Sequence, residues 1–401
     1  MASVKASREK RISAGKYLCE LLRGALVDDY IPKDLPEDLS LGTVFSLARY
    51  NSVESIAYFG VIKKDFPDEE DLIAKWKKSA DSVIYKQAHF DSERESILRK
   101  MDAANISYIN LKGIHIADLY PKPGMRSMSD NDILYGFVKK DNDGIYRASD
   151  RSEAQQTVRN IMLSEGYEPK GTEENHDVYY KKPFLNFEMH REIISEKKPH
   201  YWYYENPWSR AVPTTDKSRE FMYSEEDNYI YSIVHMYVHY SEGGCGIRHI
   251  TDLFVTDSVL GGTLDYGYIN SELEKLGLSE LFEKIRKFTG TVFFGNGEFD
   301  AEDEKFLLLF TGSGTYGNRT EYQNIALDNL EKDTGKTGTA LKLEYLKRRI
   351  FLSPEACKRQ YPKFYGKPYL TPVLIVYRLF RGLFTNFGRL WRELVRLIKR
   401  K

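Results

Sequence analysis

The stretch Ser129-Asp130-Asn131-Asp132-Ile133-Leu134 decides the fold. Apolar residues continue after it, so the sequence predicts a β-strand from about Asp132 to Phe137. Asp130 and Asp132 are two positions apart, and an extended backbone therefore projects both carboxylates from one face. Two hard oxygen ligands in this arrangement can bind Mg²⁺ or Mn²⁺. Short Asp-x-Asp matches also occur by chance, so the interpretation needs support from the neighbouring sequence.

Upstream of the acidic pair, the sequence predicts a strand, a turn and a helix. The run from Ile106 to Leu111 is β-rich, Lys112-Gly113 follows it, and residues 114–119 are a helix candidate. A helix N-terminus favours an anionic phosphate, and the glycine would let the phosphate approach closely. Arg126 precedes Asp130 by four residues, and its planar guanidinium can bind phosphate. The alternatives are an ordinary turn at Lys-Gly and a surface salt bridge at Arg126.

Downstream, two further strand candidates are Asp177–Lys181 and Leu185–His190, and the short Lys-Pro-Phe segment between them suggests a hairpin. Strict alternation in the second strand places Asn186, Glu188 and His190 on one face and apolar residues on the other. Glu188 is therefore the candidate for a third carboxylate if this strand is a neighbour of the Asp-x-Asp strand. The alternative is an exposed polar hairpin.

The rest of the chain has mainly helical periodicity. Apolar residues recur at helical spacing from Lys16 to about Ala104, and prolines divide that region into several helices. Further helices are predicted within the core and after about Glu220, at Glu153–Glu165, Tyr229–Tyr240, Ile250–Leu260 and Tyr268–Thr289. We therefore expect an α+β fold with a small mixed-sheet core and helical flanks. The expected domains are an N-terminal helical region, a catalytic core and a C-terminal helical region, at residues 1–104, 105–215 and 216–401.

Composition limits the class of protein. At 401 residues the chain exceeds what one hydrophobic core usually organises. Lys and Arg number 59, as do Asp and Glu, so no global field attracts nucleic acid and a nucleic-acid acceptor is disfavoured. The cysteines Cys19, Cys245 and Cys357 fit neither a disulfide framework nor a C-x-x-C metal site. The sequence shows no secretory signal and no apolar run of roughly 18–20 residues, which predicts a cytoplasmic protein, soluble or peripheral at a membrane.

Several of these motifs occur together in one known family. Leu111-Lys-Gly113, the loop from Tyr120 to Arg126, and Asp130-Asn-Asp-Ile-Leu134 resemble, in order and spacing, an uncharacterised nucleotidyltransferase family of the DNA polymerase β-like superfamily. The resemblance extends to Phe187-Glu-Met-His190 and to the later segments His235-Met-Tyr-Val-His239, Gly246-Ile-Arg248 and Asp252.

The resemblance implies transfer of a nucleoside monophosphate from an NTP to a hydroxyl acceptor, on a small molecule or a protein, with pyrophosphate leaving and two metal ions assisting. It implies that Asp130 and Asp132 hold both ions, and that Glu188 binds the catalytic ion and helps to deprotonate the acceptor. Lys112, Gly113 and Arg126 would face the triphosphate. The alternative is a catalytically silent module that keeps this fold and engages a partner or a membrane.

The sequence departs from the superfamily pattern at two places. Asn131 is polar where an apolar residue is usual, and Lys112-Gly113 replaces the Gly-Ser of better-known members.

Two pairs of residues in the C-terminal half are accessory candidates. His235 and His239 are four apart, so they share one helix face and could bind a transition metal, although no third ligand is adjacent. The alternatives are packed helix residues or contacts with acceptor or nucleotide. Arg248 and Asp252 are also four apart and can pair across a helical turn.

The end of the chain is predicted to be a basic amphipathic helix that binds an anionic membrane surface or a partner groove. The alternative is a packed terminal helix with a solvated basic face. The helix has an apolar series at steps of three or four, Phe380, Phe384, Phe387, Trp391, Leu394 and Ile398, and a basic series, Arg378, Arg381, Arg389, Arg392, Arg396 and Lys399.

Overall fold

The computed structural model describes residues 2–215, 218–295, 298–315, 333–352 and 361–399, together with residues 317, 323, 326, 327, 330, 331 and 357. The chain forms two compact units, the first from residues 1–237 and 246–315 and the second from residues 238–245 and 316–401. Among the described helices, none has the length and apolar character needed to span a lipid bilayer.

The first unit begins with helices α1 (Ala2–Leu26), α2 (Leu41–Tyr50), α3 (Glu54–Val61) and α4 (Glu70–Ala103). Helix α2 starts where the Ser40 side chain accepts a hydrogen bond from the Thr43 amide, which satisfies an otherwise free N–H. Helices α1 and α3 approach closely at Gly60, where an added Cβ would lie 2.0 Å from the Leu21 carbonyl oxygen. The predicted helical region at the N-terminus is confirmed.

The sheet contains strands β1 (Ser107–Asn110), β2 (Asn131–Lys140), β3 (Tyr146–Ser149), β4 (Glu168–Thr172), β5 (His176–Lys181) and β6 (Leu185–His190). The strand order is β1-β2-β6-β5-β4, and β3 pairs with the far end of β2. Strands β2 and β6 are parallel, whereas the other pairs are antiparallel. The prediction of an α+β fold with a mixed sheet and a β5–β6 hairpin is confirmed; β3 and β4 were not predicted.

One face of the sheet forms a hydrophobic core with α4 and α6 (Arg151–Ser164), while the short helix α5 (Gly113–Ala117) follows β1. Ile133 on β2, together with Phe187 and Met189 on β6, is fully buried in this core. Because side chains alternate along a strand, Asp132 and Glu188 project from the opposite face. The alternation therefore separates a dry packing face from a polar face.

Asn131 lies on the packing face of the sheet, and its hydrogen bonds to α4 account for a polar residue at this position. The side chain is fully buried, and its amide donates to the Phe90 carbonyl at 3.2 Å. Its Oδ1 accepts a hydrogen bond from Arg94 Nη1 at 3.1 Å. Since buried polar groups are tolerated when they are hydrogen-bonded, Asn131 fixes α4 against the start of β2.

The remainder of the first unit contains the short ribbon of β7 (Val212–Pro213) and β8 (Phe221–Met222), followed by helices. These helices are α7 (Glu225–Gly243, which continues into the second unit), α8 (Arg248–Leu260), α9 (Tyr266–Lys275), α10 (Ser279–Phe293) and α11 (Ala301–Gly312). The prediction of one continuous helix from Tyr268 to Thr289 is wrong. Gly277 has φ +68 and separates α9 from α10, because a left-handed residue ends an α-helix.

The second unit contains α12 (Gly338–Ile350) and α13 (Thr371–Lys399), the predicted basic helix. Leu397 of α13 is buried with Leu341 and Tyr345 of α12. Glu393 accepts hydrogen bonds from Tyr345 Oη at 2.7 Å and from the Arg349 guanidinium. One side of α13 is therefore packed. Some side chains of its predicted apolar and basic series lie outside the described residues: Arg381, Phe384, Phe387, Arg389, Arg392 and Lys399.

Candidate functional site

Three carboxylates meet on the polar face of the sheet. Asp132 on β2 is in parallel register with Glu188 on β6, and Asp130 immediately precedes β2. Each of the three offers an oxygen within 4.8 Å of the others. Asp132 is buried, whereas Asp130 and Glu188 are partly exposed. The two strands thus bring the three acidic residues singled out from the sequence to one point.

The Lys112 ammonium lies among these carboxylates. Its Nζ donates to Asp132 Oδ1 at 2.6 Å and lies 3.9 Å from Glu188 Oε2. Lys112 ends the turn before α5 with φ +52 and ψ −118, a backbone conformation that a residue with a side chain rarely adopts. Strain of this kind persists where surrounding structure enforces it, and it recurs at functional sites. Here it accompanies a cation placed within an acidic cluster.

Two histidines complete the cluster. His190 on β6 lies with Nε2 2.8 Å from Asp132 Oδ1 and 3.6 Å from Glu188 Oε2. His176 begins β5 in direct register with His190, and its Nε2 also lies 3.6 Å from Glu188 Oε2. His176, Glu188 and His190 form a second group of ligand atoms that lie within 4.8 Å of one another. Glu188 therefore belongs to both groups.

Interactions within the cluster shift the pKa values of Asp130 and Asp132 in opposite directions. Burial, followed by repulsion from Asp132 and Glu188, raises the pKa of Asp130 to about 7. Burial would also raise the pKa of Asp132, but the charge of Lys112 and the contacts of His190 outweigh it and hold that pKa far below its ordinary value. Asp132 is consequently ionised at neutral pH, whereas Asp130 is close to its titration midpoint.

The pKa values of the basic groups in the cluster are shifted as well. Burial would lower the pKa of Lys112, but the combined attraction of Asp132, Tyr231, Glu188 and Asp130 outweighs burial and raises that pKa above its ordinary value. Burial and Lys112 oppose protonation of His190, whereas its hydrogen bonds to Asp132 and Glu188 raise its pKa. For His176, burial and the neighbouring His190 lower the pKa. The pKa values of the two histidines are thus shifted in opposite directions despite their adjacent positions.

Two buried polar atoms at the site have no hydrogen-bond partner in the described chain. One is the Tyr231 hydroxyl on α7, which interacts electrostatically with Lys112, Asp132 and Glu188. The other is His190 Nδ1. An unpaired buried polar group costs about 1–3 kcal/mol, so such groups indicate an unseen ligand or water. Together with the oxygen donors of three carboxylates, they fit a hydrated divalent cation.

Behind the cluster, Arg126 is held by Asp252 of α8. Its Nε donates to Asp252 Oδ1 at 2.8 Å and its Nη2 donates to Oδ2 at 2.9 Å. Tyr120 Oη donates to the same Oδ1 at 2.8 Å. An added Cβ at Gly113 would lie 2.2 Å from Arg126 Nη1, so the glycine lets the start of α5 rest against the guanidinium. Arg126 thus contacts Gly113 and directs two of its nitrogens towards α8.

The accessory candidates have different surroundings. Arg248 Nη1 donates to the Ser127 carbonyl at 3.1 Å. Its charge opposes the rise in the pKa of Asp130 and contributes to the lowered pKa of Asp252. The His235 ring lies 5.9 Å from that of His249 and 6.1 Å from that of Tyr231. Neither His235 nor His239 belongs to a cluster of three or more metal-ligand side chains in the part of the chain described.

The structure therefore brings together Lys112, Asp130, Asp132, Glu188 and His190, all of which the sequence singled out. Sequence reasoning missed His176 and Tyr231. Extending the predicted hairpin by one residue would have revealed His176, because the register that pairs Lys181 with Leu185 also pairs His176 with His190. No local signal distinguished Tyr231, which reaches the site through the packing of α7.

A family model described as an uncharacterised nucleotidyltransferase matches residues 38–294, which is more than half of the chain and contains every residue of the cluster. No curated protein matches the chain. No solved structure matches it either.

Proposed function

Because the chain belongs to the uncharacterised nucleotidyltransferase family, we propose that it transfers a nucleoside monophosphate from an NTP to a hydroxyl acceptor, with a divalent cation. The observation that carries this proposal is the convergence of Asp130, Asp132 and Glu188 on one point beside Lys112. Oxygen donors of this kind suit Mg²⁺ or Mn²⁺ and leave coordination positions for phosphate.

Asp130, Asp132 and Glu188 would hold the metal. When bound, a divalent cation neutralises phosphate charge and lowers the pKa of a coordinated hydroxyl or water. Lys112 supplies a fixed positive charge beside the same carboxylates, and we assign it to the phosphates of the NTP. Helix α5 begins at Gly113, directly after Lys112, so we assign the same turn to the phosphates.

In the proposed reaction, the acceptor oxygen forms a bond to the α-phosphorus while the bond to the bridging oxygen of the β-phosphate breaks. Pyrophosphate leaves with the electron pair of that bond. The Glu188 side chain is 23% exposed, against 7% for Asp132, and we assign Glu188 to accept the hydroxyl proton. Arg126 is a positioning residue in this scheme, because it is bound to Asp252 and supports Gly113 at the start of α5.

The acceptor is a small molecule or a protein. A nucleic-acid acceptor is disfavoured because the chain has equal numbers of basic and acidic residues, and binding to a phosphate backbone depends on clustered positive charge.

The decisive experiment is calorimetric titration of each NTP, with Mg²⁺ or Mn²⁺, into the wild-type protein and the Asp130→Asn/Asp132→Asn variant. The charge-matched control is Asp81→Asn/Glu95→Gln, which alters two exposed carboxylates on α4. We expect metal-dependent NTP binding in the wild type and the control, lost in the site variant. Absence of binding to any NTP would instead favour the silent binding module. A pyrophosphate-release assay with candidate acceptors then measures turnover.

A further inference from the structure

The second ligand group on the polar face contains nitrogen donors, which the three-carboxylate scheme does not use. His176 and His190 lie side by side on adjacent strands, with ring centroids 4.8 Å apart. The Nε2 atoms of both are 3.6 Å from the same oxygen, Glu188 Oε2. Three ligand atoms from two neighbouring strands therefore surround one small volume.

The hydrogen bonds of His176 fix which nitrogen faces that volume. Asn175 Nδ2 donates to the carbonyls of Glu192 and Ile193, so its Oδ1 is directed towards His176 Nδ1, 3.1 Å away. Nδ1 is then the protonated nitrogen, and the Nε2 lone pair faces Glu188. Two electron-pair donors that face each other favour a cation between them. This Nδ1 contact is the kind of outer hydrogen bond that orients metal-binding histidines.

A second observation points to a ligand. The buried Tyr231 hydroxyl, which interacts electrostatically with Glu188, has no partner in the described chain. His190 is 2% exposed and its Nε2 lies 2.8 Å from Asp132 Oδ1, so a metal ion on Nε2 would take the place of that hydrogen bond. Buried polar atoms in a purely structural network are usually paired. The cluster is therefore incomplete as a purely structural network.

We propose that His176, Glu188 and His190 bind a divalent transition metal ion, Mn²⁺, Co²⁺ or Zn²⁺, in preference to Mg²⁺. Imidazole nitrogen favours transition metals, whereas Mg²⁺ prefers oxygen ligands and retains its water. This inference rests on the proposed function in one respect, since Glu188 would serve both the nitrogen-containing group and the carboxylate group. It assigns a role to His176, which lies outside the three-carboxylate group.

The test uses Mn²⁺ alone with the full chain and pulsed electron paramagnetic resonance, which detects ¹⁴N bound to Mn²⁺. We expect nitrogen coupling in the wild type. His176→Ala should remove one nitrogen and weaken Mn²⁺ binding by about tenfold or more, since even outer contacts to metal ligands are worth about 10- to 100-fold. Mg²⁺ affinity should change far less. The control is His89→Ala, which removes an exposed imidazole that contacts Tyr85 and Phe184.

Wild-type Mn²⁺ with oxygen ligands alone would overturn the inference without any variant, so a folding defect in His176→Ala cannot obscure the result. Unchanged nitrogen coupling in a folded His176→Ala protein would overturn it too. Different outcomes would refute the proposed function and the nitrogen-ligand inference. Nitrogen-bound Mn²⁺ without NTP binding would refute nucleotidyl transfer alone, whereas NTP turnover with an oxygen-only metal would refute only the nitrogen ligands.

An independent observation concerns the second unit. Helix α13 has a row of large apolar side chains that are 39–75% exposed, Val373, Val376, Tyr377, Phe380, Trp391, Leu394 and Ile398. With 3.6 residues per turn, these positions fall within about 100° of the helix circumference. The buried residues Leu374 and Leu397 lie outside this arc. The row is thus separate from the packed side of the helix.

The charge of α13 identifies the surface that such a row would contact. Its sequence has Arg378, Arg381, Arg389, Arg392, Arg396 and Lys399 against a single acidic residue, Glu393. Glu393 is already bound to Tyr345 and Arg349. A helix with an exposed apolar row and an excess of basic residues is typical of binding in the plane of an anionic bilayer. At 29 residues it would lie along roughly 40 Å of that surface.

We propose that α13 attaches the protein peripherally to an anionic lipid surface. The test is co-sedimentation of the full chain with vesicles of phosphatidylcholine, with and without phosphatidylglycerol. The variant is Trp391→Glu and the control is Leu343→Glu on α12, because these side chains are 61% and 62% exposed.

We expect binding to the anionic vesicles, weakened about tenfold or more by Trp391→Glu and little by Leu343→Glu, because a buried tryptophan contributes more than the roughly 1.4 kcal/mol of a tenfold change. Failure to bind anionic vesicles would overturn the proposal. Equal loss in both variants would also overturn it.

Discussion

Arg126 and Asp252 form two parallel hydrogen bonds inside the first unit, from Nε to Oδ1 at 2.8 Å and from Nη2 to Oδ2 at 2.9 Å. Both side chains are less than a tenth exposed. This pair joins the loop before the acidic residues to α8. It also supports Gly113, so it connects the architecture of the helical region with the geometry of the turn that carries Lys112.

Asp252→Asn should destabilise the protein by about 3–5 kcal/mol, because it leaves the Arg126 charge buried without its partner. Urea unfolding at pH 7 measures the loss. The control Glu95→Gln removes a carboxylate that pairs with Arg99 on the surface of α4, where both partners are about two-thirds exposed. That change should cost less than about 1 kcal/mol. Equal effects of the two substitutions would contradict the importance assigned to the buried pair.

The contribution of Asp252 should disappear in acid. Burial would raise its pKa, but the charge and hydrogen bonds of Arg126, together with the charges of Arg248 and His249, outweigh burial and hold that pKa below its ordinary value of 3.8. A carboxylate with a lowered folded-state pKa stabilises the protein above its unfolded-state pKa and loses this effect as the pH falls through the folded-state pKa. The stability difference between wild type and Asp252→Asn should therefore be constant from pH 7 to about 5 and shrink below pH 4. A difference that grows in acid would reverse the assigned sign.

Gly113→Ala should destabilise the protein by about 1–3 kcal/mol, because the new methyl group would meet a guanidinium that Asp252 holds in place. Thermal or urea unfolding measures the change. Gly171→Ala is the control, since an added Cβ at this exposed strand position meets nothing within 4 Å. If the two substitutions have the same effect, Arg126 is free to move and does not support the turn.

Lys112→Met should change metal binding and nucleotide binding in opposite directions. Removal of the ammonium leaves the carboxylates without their internal cation, so Mn²⁺ alone should bind about tenfold or more tightly. Binding of the metal–NTP complex should weaken, because the proposed phosphate contact is lost. Calorimetry with and without NTP measures both changes. Lys77→Met, which removes an exposed ammonium beside Asp81, should leave both affinities unchanged.

Tyr231→Phe should leave the free energy of unfolding unchanged or slightly increased, because the deleted hydroxyl is buried and unpaired. It should nevertheless weaken metal–NTP binding, because this hydroxyl interacts electrostatically with Lys112, Asp132 and Glu188. Tyr120→Phe is the matched control, since its hydroxyl donates to Asp252 Oδ1 and lies 3.1 Å from Thr251 Oγ1, and its loss should cost about 1–3 kcal/mol. A marked loss of stability in Tyr231→Phe would show that the hydroxyl has a structural partner.

The sequence predicts the parts of the fold that depend on local periodicity. Strict alternation identified β6 and the polar face that carries Glu188, and the spacing of Asp130 and Asp132 identified the other acidic strand. Their parallel pairing does not follow from the sequence pattern, because alternation within a strand does not specify its neighbour. The predicted strand starts at Asp177 and therefore excludes His176, which is the first residue of β5. This difference of one residue leaves a histidine of the cluster out of the predicted site.

Long-range contacts account for what local patterns did not reveal. The partner of Arg126 is Asp252 on α8, more than a hundred positions away along the chain. The prediction that Arg126 binds phosphate contains no information about this partner. Lys112 was identified from its turn, but its contact with Asp132 depends on the pairing of β1 with β2. The break between α9 and α10 was missed because the apolar spacing continues across Gly277.

The parallel pairing of β2 with β6 also determines when the site forms during folding. Asp132 and Glu188 are neighbours, yet β3, α6, β4 and β5 lie between them in the chain. Contacts of this kind form late, because loop closure must precede the interactions that compensate for it. A nascent chain that has not reached β6 lacks Glu188, so affinity for the proposed metal would report completion of the sheet. A bound ion would in turn hold the last central strand in place, since a ligand that binds only the native state shifts the folding equilibrium towards it.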